Sequence, residues 1–216
     1  MGSVSLLVLV ISSRDLAAYE GHRAVWRERM AASDVAFRFV EMGARSEEVG
    51  DTLFVQGSES LHPGVLLKTL AAFERYCADY DYLLRTNLSS LWFLDRFLPV
   101  VASLPRRRLY AGVVVEGWYA SGAGLLLSGD AARLVVAGAS LWPRPERVDD
   151  VDIGWIAGRC GLALVPLRKF DVPGPAAPVE LGHYHYYVKT QGAGDRCLEA
   201  ATMRRIVRLV EAAALS

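Results

Sequence analysis

A chain of 216 residues with 52% hydrophobic content suits one domain with a well-filled core. Lys+Arg 24 against Asp+Glu 24 leaves no formal net charge, so no overall field draws the chain to nucleic acid or an anionic membrane. Three widely spaced cysteines, Cys77, Cys160 and Cys197, form no Cys-x-x-Cys or Cys/His pattern. They argue against a zinc site or a disulfide framework, and for reduced thiols in a cytoplasmic protein.

The opening run, Val4 to Ile11, has the apolar character of a signal peptide but lacks a basic start and a small-residue cleavage site. It also falls well short of the ~20 residues of a membrane span. Its β-branched content predicts a buried strand over 6–11. A helix follows over 16–32, with Asp15 as N-cap. Strands are predicted over 37–42, ended by Gly43, and over 52–55. The helix over 63–76 is strongly patterned. Pro63 is pre-set for its first turn, and Val65, Leu66, Thr69, Leu70 and Phe73 form its apolar face. A strand over 82–84 then runs into a polar turn of Thr86, Asn87, Ser89 and Ser90, and apolar residues resume at helical spacing over 91–98.

Alternating βαβ units of this kind predict an α/β fold, with a mostly parallel sheet and helices on both faces. The second half is less regular. It reads as a strand over 109–115, a Gly- and aromatic-rich loop over 117–124, a strand over 125–127 and a helix over 129–139. The helix over 149–159 opens with acidic residues that suit its positive end. A buried strand over 162–167, a stiff Pro-rich connector over 173–178 and an amphipathic helix over 197–213 complete the chain.

Four segments in this order resemble the β-1,3-galactosyltransferase-like branch of GT-A glycosyltransferases. The run from Leu6 to Ser13 is similar to that family's opening strand. Leu66-Leu67-Lys68-Thr69-Leu70 resembles its Leu-Thr-Leu-Lys-Thr-Leu helix, and the run from Ser121 to Ser128 resembles its Gly-Gly-Gly-Tyr-Val-Leu-Ser. Asp149-Asp150-Val151-Asp152-Ile153-Gly154 is similar to its Glu-Asp-Val-x-Val-Gly. The segment Arg85 to Ser90 also resembles small glycosyltransferases of large algal viruses and some bacteria. The resemblance implies a GT-A, Rossmann-like domain, with a nucleotide-binding half over about 1–100, an acceptor and catalytic half over about 101–195, and a closing helix over 196–216. It also implies transfer of a sugar from a nucleotide diphosphate, UDP above all, to a glycan hydroxyl.

By the same resemblance Asp150 is the general base of an inverting displacement, with Asp152 second. A single carboxylate facing the anomeric carbon, opposite the leaving group, is what that chemistry needs. The simpler reading is a trio of aspartates that merely favours a helix N-terminus. Asn87 and Ser89 stand where the family has its metal-binding Asp-X-Asp, so Mn²⁺ or Mg²⁺ would keep only weaker oxygen ligands, with His185 as a third. Asp79 and Asp81 do spell Asp-X-Asp, but before the strand, where a solvated turn is the simpler reading. Donor-binding candidates are Ser12, Arg14, Lys68, Arg85, Thr86, Asn87, Ser89, His183, His185 and Lys189; acceptor candidates are Trp118, Gly122 and Ala123. The alternative is a domain that kept the fold, lost catalysis and binds nucleotide-sugar or glycan. Arg106–Arg108 and Arg204, Arg205 and Arg208 read as solvated faces, with a membrane surface or a neighbouring domain as the other partners to weigh. A Gly-x-Gly-x-x-Gly after the first strand, a Walker loop and a Gly-x-Ser-x-Gly elbow are all missing.

Overall fold

The computed structural model describes residues 4–13, 17–140, 148–172, 186–190 and 195–214. The elements in chain order are β1 (Leu6–Ile11), a 3-10 turn (Ala17–Tyr19), α1 (Glu20–Ala31), β2 (Ala36–Gly43), β3 (Glu47–Val49), β4 (Thr52–Gln56) and α2 (Gly64–Tyr76). There follow β5 (Tyr82–Asn87), β6 (Ser90–Trp92), α3 (Leu94–Ser103), β7 (Tyr110–Val115), β8 (Tyr119–Ser128) and α4 (Gly129–Ala139). The last are α5 (Asp149–Arg159), β9 (Leu164–Pro166), β10 (Phe170–Val172), β11 (Tyr187–Thr190) and α6 (Arg196–Ala214).

Eight strands form one sheet in the order β3-β4-β2-β1-β5-β8-β7-β9. β1 lies at its centre, parallel to β2 and β5, while β8 runs antiparallel to both β5 and β7. Alternation along β1 shows why both faces are covered. Leu6, Val8 and Val10 join one apolar cluster with α1, α3 and α6, whereas Leu7, Leu9 and Ile11 join another with α2, α4 and α5. An unbroken apolar run is what a strand needs when both its faces are buried. This is the mixed, mostly parallel sheet with helices on both faces that the sequence predicts.

A second sheet, β10-β11-β6, caps the end of β5. Trp92 and Tyr187 stack at 4.2 Å within 4° of parallel, and Phe97 packs on the same indole. Trp92 Nε1 donates to Thr86 Oγ1 at 3.0 Å, which ties the small sheet to the large one.

Three local expectations are corrected. The polar turn expected from Thr86 is strand as far as Asn87, because Thr86 pairs with Val10 on one side and Gly124 on the other. Backbone partners on both flanks outweigh the polar composition. Residues 117–124 form a hairpin turn and the first half of β8 instead of a loop; a Cβ on Gly124 would sit 2.5 Å from Trp92 Cζ2, so close packing explains its glycine. The apolar run from Leu91 starts as β6 before α3 begins. The N-cap Asp15 and the Pro-rich connector lie outside the described residues.

Candidate active site

The carboxyl ends of β1 and β5 open into a cleft of about 820 Å³. The chain leaves β1 toward β2 on one side and returns to β5 on the other, so the cleft sits at the switch point of the sheet. Ser12 and Ser13 just after β1, Asn87 at the end of β5 and Ser89 beyond it, Gly122 and Ala123 from β8, and Asp149 and Asp150 from α5 line it together.

Asp150 is half-buried at the first turn of α5. Its Oδ2 accepts the Gly122 N–H at 2.8 Å and its Oδ1 accepts the Val151 N–H at 2.9 Å. Two backbone donors thus fix the orientation of the carboxylate, and each oxygen keeps lone-pair capacity for a ligand. Asp149 is buried beside it and takes a hydrogen-bonded ion pair from Arg85 Nη2. Burial pushes the Asp149 carboxyl above its ordinary range, Arg85 opposes this and Asp150 adds to it. Asp152, the second catalytic candidate, is fully buried on α5 and absent from the cleft lining, because the helix turns it toward the core.

Lys68, a donor-binding candidate, lines the cleft. It is 1% exposed and donates to Ser12 O at 2.6 Å and Glu59 Oε2 at 2.7 Å. Burial draws its ammonium below the usual range, with Glu59 opposing. Ser12 Oγ donates to Glu41 Oε1 at 2.7 Å, and Arg23 Nη1 lies on the same pair.

Thr86 is buried, donates to Ala123 O at 2.8 Å and stays out of the lining, so it braces β5 against β8. Trp118 sits half-exposed at the tip of the β7–β8 hairpin, edge-on to Tyr119, and also misses the cleft. Gly122 and Ala123 do line it. Arg14, His183 and His185 lie outside the described residues, and for Lys189 only the backbone is described. That backbone is informative: Lys189 pairs with Ser90 in the β11–β6 ladder, and Thr190 N and Oγ1 both donate to Ser89 O. The strand carrying Lys189 therefore runs beside the Asn87–Ser89 turn.

Several cleft residues carry no signal in the sequence. Tyr19, His22 and Arg196 form one wall, with Arg196 over the Tyr19 ring and paired to Glu199 at 2.6 Å. His22 is buried, 3.3 Å from Glu199 Oε2 and edge-on to Tyr19; burial lowers its pKa while Glu199 opposes. Asp79 and Asp81 fall at the opposite end of β5, where Asp81 accepts the Ser5 N–H at 3.0 Å. The basic clusters make local contacts, Arg106 to Asp81, Arg108 to the carbonyls of Cys160 and Gly161, and Arg204 to Gly21 O.

Among the described residues, no group of three or more His, Cys, Asp or Glu side chains converges to hold a metal. Asn87 Oδ1 already accepts the Ser90 hydroxyl at 2.7 Å. A neutral amide and a hydroxyl are weak ligands for a hard divalent ion, and His185, the third candidate, lies outside the described residues; no step below is routed through Mn²⁺ or Mg²⁺. No described helix is long and apolar enough to cross a membrane.

No protein-family pattern and no curated protein matches the sequence. Solved structures do match in shape. The galactosyltransferase LgtC, in complex with donor and acceptor sugar analogs, superposes with a TM-score of 0.55 at 13% identity over 95% of each chain. An active-site mutant of LgtC gives 0.54 over the same extent at 13% identity. A glycosyltransferase involved in glycosylation of the major capsid of PBCV-1 gives 0.55 at 10% identity, over 93% of this chain and 99% of that one. Identities this low speak to the fold alone, and they extend over nearly the whole chain: its architecture is that of the GT-A glycosyltransferases.

Proposed function

We propose that this chain is a glycosyltransferase. It takes a nucleotide diphosphate sugar, UDP-linked, and passes the sugar to a glycan hydroxyl with inversion. The observation that carries the reading is that Asp150 and the Asn87–Ser89 turn line one cleft at the switch point of a GT-A sheet. Asp150 accepts the proton of the acceptor hydroxyl as that oxygen attacks the anomeric carbon. The bond to the diphosphate breaks on the opposite side, and the diphosphate leaves with the electron pair. The Gly122 and Val151 N–H groups keep the carboxylate aimed while this happens. Gly122 and Ala123 belong to the acceptor side. Ser12, Arg85, Asn87 and Ser89 belong to the donor side, with Arg14, His183, His185 and Lys189 as further donor contacts. Support for the last of these is the pairing of Lys189 with Ser90 beside the turn.

Asp150→Asn tests the role. A positioned base contributes about 10²- to 10⁴-fold, so turnover of a UDP-sugar falls by that factor while UDP binding, read by thermal shift, stays near wild type. Equal loss of both would remove Asp150 from the chemistry. The neutral Asn87–Ser89 turn also favours a second reading, a binding domain without catalysis. Wild-type protein that binds nucleotide-sugars yet never hydrolyses or transfers any of them would establish that reading instead.

A further inference from the structure

The two carbonyls that end β1 are each held by a buried cation. Lys68 Nζ donates to Ser12 O at 2.6 Å, and Arg23 Nη1 donates to Ser13 O at 2.8 Å. Each cation has its own carboxylate. Glu59 accepts from Lys68 at 2.7 Å and, through its other oxygen, from the Met42 N–H at 2.8 Å at the end of β2. Glu41 accepts from Arg23 at 3.2 Å and from Ser12 Oγ at 2.7 Å. Arg23, Glu41 and Lys68 are all at or below 5% exposure.

Such an arrangement is an inefficient way to stabilise a core. Desolvation of buried ion pairs offsets most of their attraction, and apolar groups of like shape often do as well. What the arrangement does achieve is geometric. Side chains from α1, α2, β2 and the segment after β4 converge on two successive peptide groups. Those peptides belong to Ser12 and Ser13, which line the cleft together with Lys68 and Glu59. With the Ser12 carbonyl turned to Lys68, the planar trans peptide sends the Ser13 N–H the opposite way.

We propose that Lys68 and Glu59, backed by Arg23 and Glu41, are positioning residues that fix the end of β1 as the docking edge for the nucleoside part of the donor. This rests on reading the chain as a nucleotide-sugar transferase. The rigid edge presents the Ser13 N–H to an acceptor oxygen of the base or ribose. The charged pairs act through this edge, and their part is to hold it in place.

The experiment is calorimetric titration of the full chain with UDP, and with ADP and GDP as parallel probes. The variants are Lys68→Met, Glu59→Gln and the doubly neutral Lys68→Met/Glu59→Leu, which leaves no buried charge unpaired. The expected result is a loss of UDP affinity of about tenfold or more in all that fold, including the double variant. With a productive donor, KM for that donor rises while kcat changes little. Arg27→Met breaks the ion pair to Asp51 outside the cleft and serves as control, altering thermal stability and not UDP affinity. A folded double variant, or a folded Glu59→Gln, that binds UDP as wild type would make the network purely structural and overturn the proposal. Wild-type protein that binds none of the three nucleotides would instead overturn the transferase reading, and the proposal with it.

Discussion

Gly122→Ala probes the tightest approach in the cleft. A Cβ at this position would lie 2.7 Å from Arg85 Nη1, 3.2 Å from Asp150 Cβ and 3.3 Å from Asp150 Oδ2. Arg85 has little freedom to swing aside, since it is 3% exposed and its other terminal nitrogen is paired with Asp149. Relief to ordinary contact at 3.4 Å needs a shift of roughly 0.7 Å in the guanidinium, the β8 backbone or α5. Overpacking of this kind costs about 1–3 kcal/mol, and for a chain of this size about 2 kcal/mol lowers Tm by roughly 4–8 °C. The same shift moves the carboxylate that Gly122 N–H holds. A misplacement of about 1 Å can cost up to 10²-fold in rate. Differential scanning calorimetry and turnover of a UDP-sugar read the two effects separately. Gly129→Ala is the contrast: its Cβ meets the carbonyl oxygens of Cys77 and Tyr80, at the end of β5 opposite the cleft, so it lowers Tm but spares the rate of the folded protein. A Gly122→Ala variant with wild-type Tm and wild-type rate would refute the packing of Arg85 and Asp150 around Gly122.

Two pH-linked predictions accompany it. Arg85→Met leaves the Asp149 carboxylate buried without its partner, which costs about 3–5 kcal/mol at neutral pH. Because burial already raises the Asp149 pKa, the folded state holds a proton that the unfolded state has released between the ordinary value of 3.8 and the folded one. Stability is therefore lost as pH rises through that window, more so in the variant, and the gap to wild type narrows on acidification in urea titrations. A gap that widens toward acid pH would contradict this. For His22 the sign is reversed. Its folded pKa is lowered, so below the ordinary 6.5 the unfolded chain gains a proton that the folded chain refuses, and stability falls by at most about 1.4 kcal/mol per pH unit. Glu199, Arg196 and Tyr19 face this ring. His22→Gln flattens the slope below pH ~6.5, and an unchanged slope would assign it to another group.

What the sequence revealed was what local pattern controls. β1 is legible because an apolar run bounded by Ser12 and Ser13 is a buried strand wherever it stands, and α2, α4 and α5 because their periodicity and ends are self-contained. Asp150 is singled out by the likeness of Asp149–Gly154 to the Glu-Asp-Val-x-Val-Gly run, and it lines the cleft. The first half of β8 was hidden, because Gly122 and Gly124 lower strand propensity and the requirement for glycine comes from Arg85 and Trp92, distant in sequence. The burial of Lys68 was hidden for a similar reason, since Glu59 and the end of β1, which close over it, belong to other elements. Tyr19, His22 and Arg196 gave no signal at all, since their meeting depends on α6 packing back onto α1.

The charges of the cleft bear on the neutral Asn87–Ser89 turn, which stands where the family resembled in sequence has its Asp-X-Asp. Among the described residues lining it, Lys68, Arg85 and Arg196 face Glu59, Asp149 and Asp150, so the walls are balanced. Two more carboxylates would tip the site negative, and under the proposed function the donor diphosphate adds charge of the same sign. At about 5–6 Å and an effective dielectric of 20–80, each such pair of like charges costs about 1–3 kcal/mol. A divalent cation would then be required, whereas neutral side chains avoid the requirement. Asn87→Asp/Ser89→Asp is therefore expected to weaken UDP binding at least about tenfold in chelator, and Mn²⁺ is expected to restore it, because the new carboxylates are the hard ligands the natural turn lacks. Isothermal titration with and without Mn²⁺ measures this directly. Unchanged UDP affinity in chelator would mean that the turn lies away from the diphosphate, and the donor would then have to be placed elsewhere in the cleft.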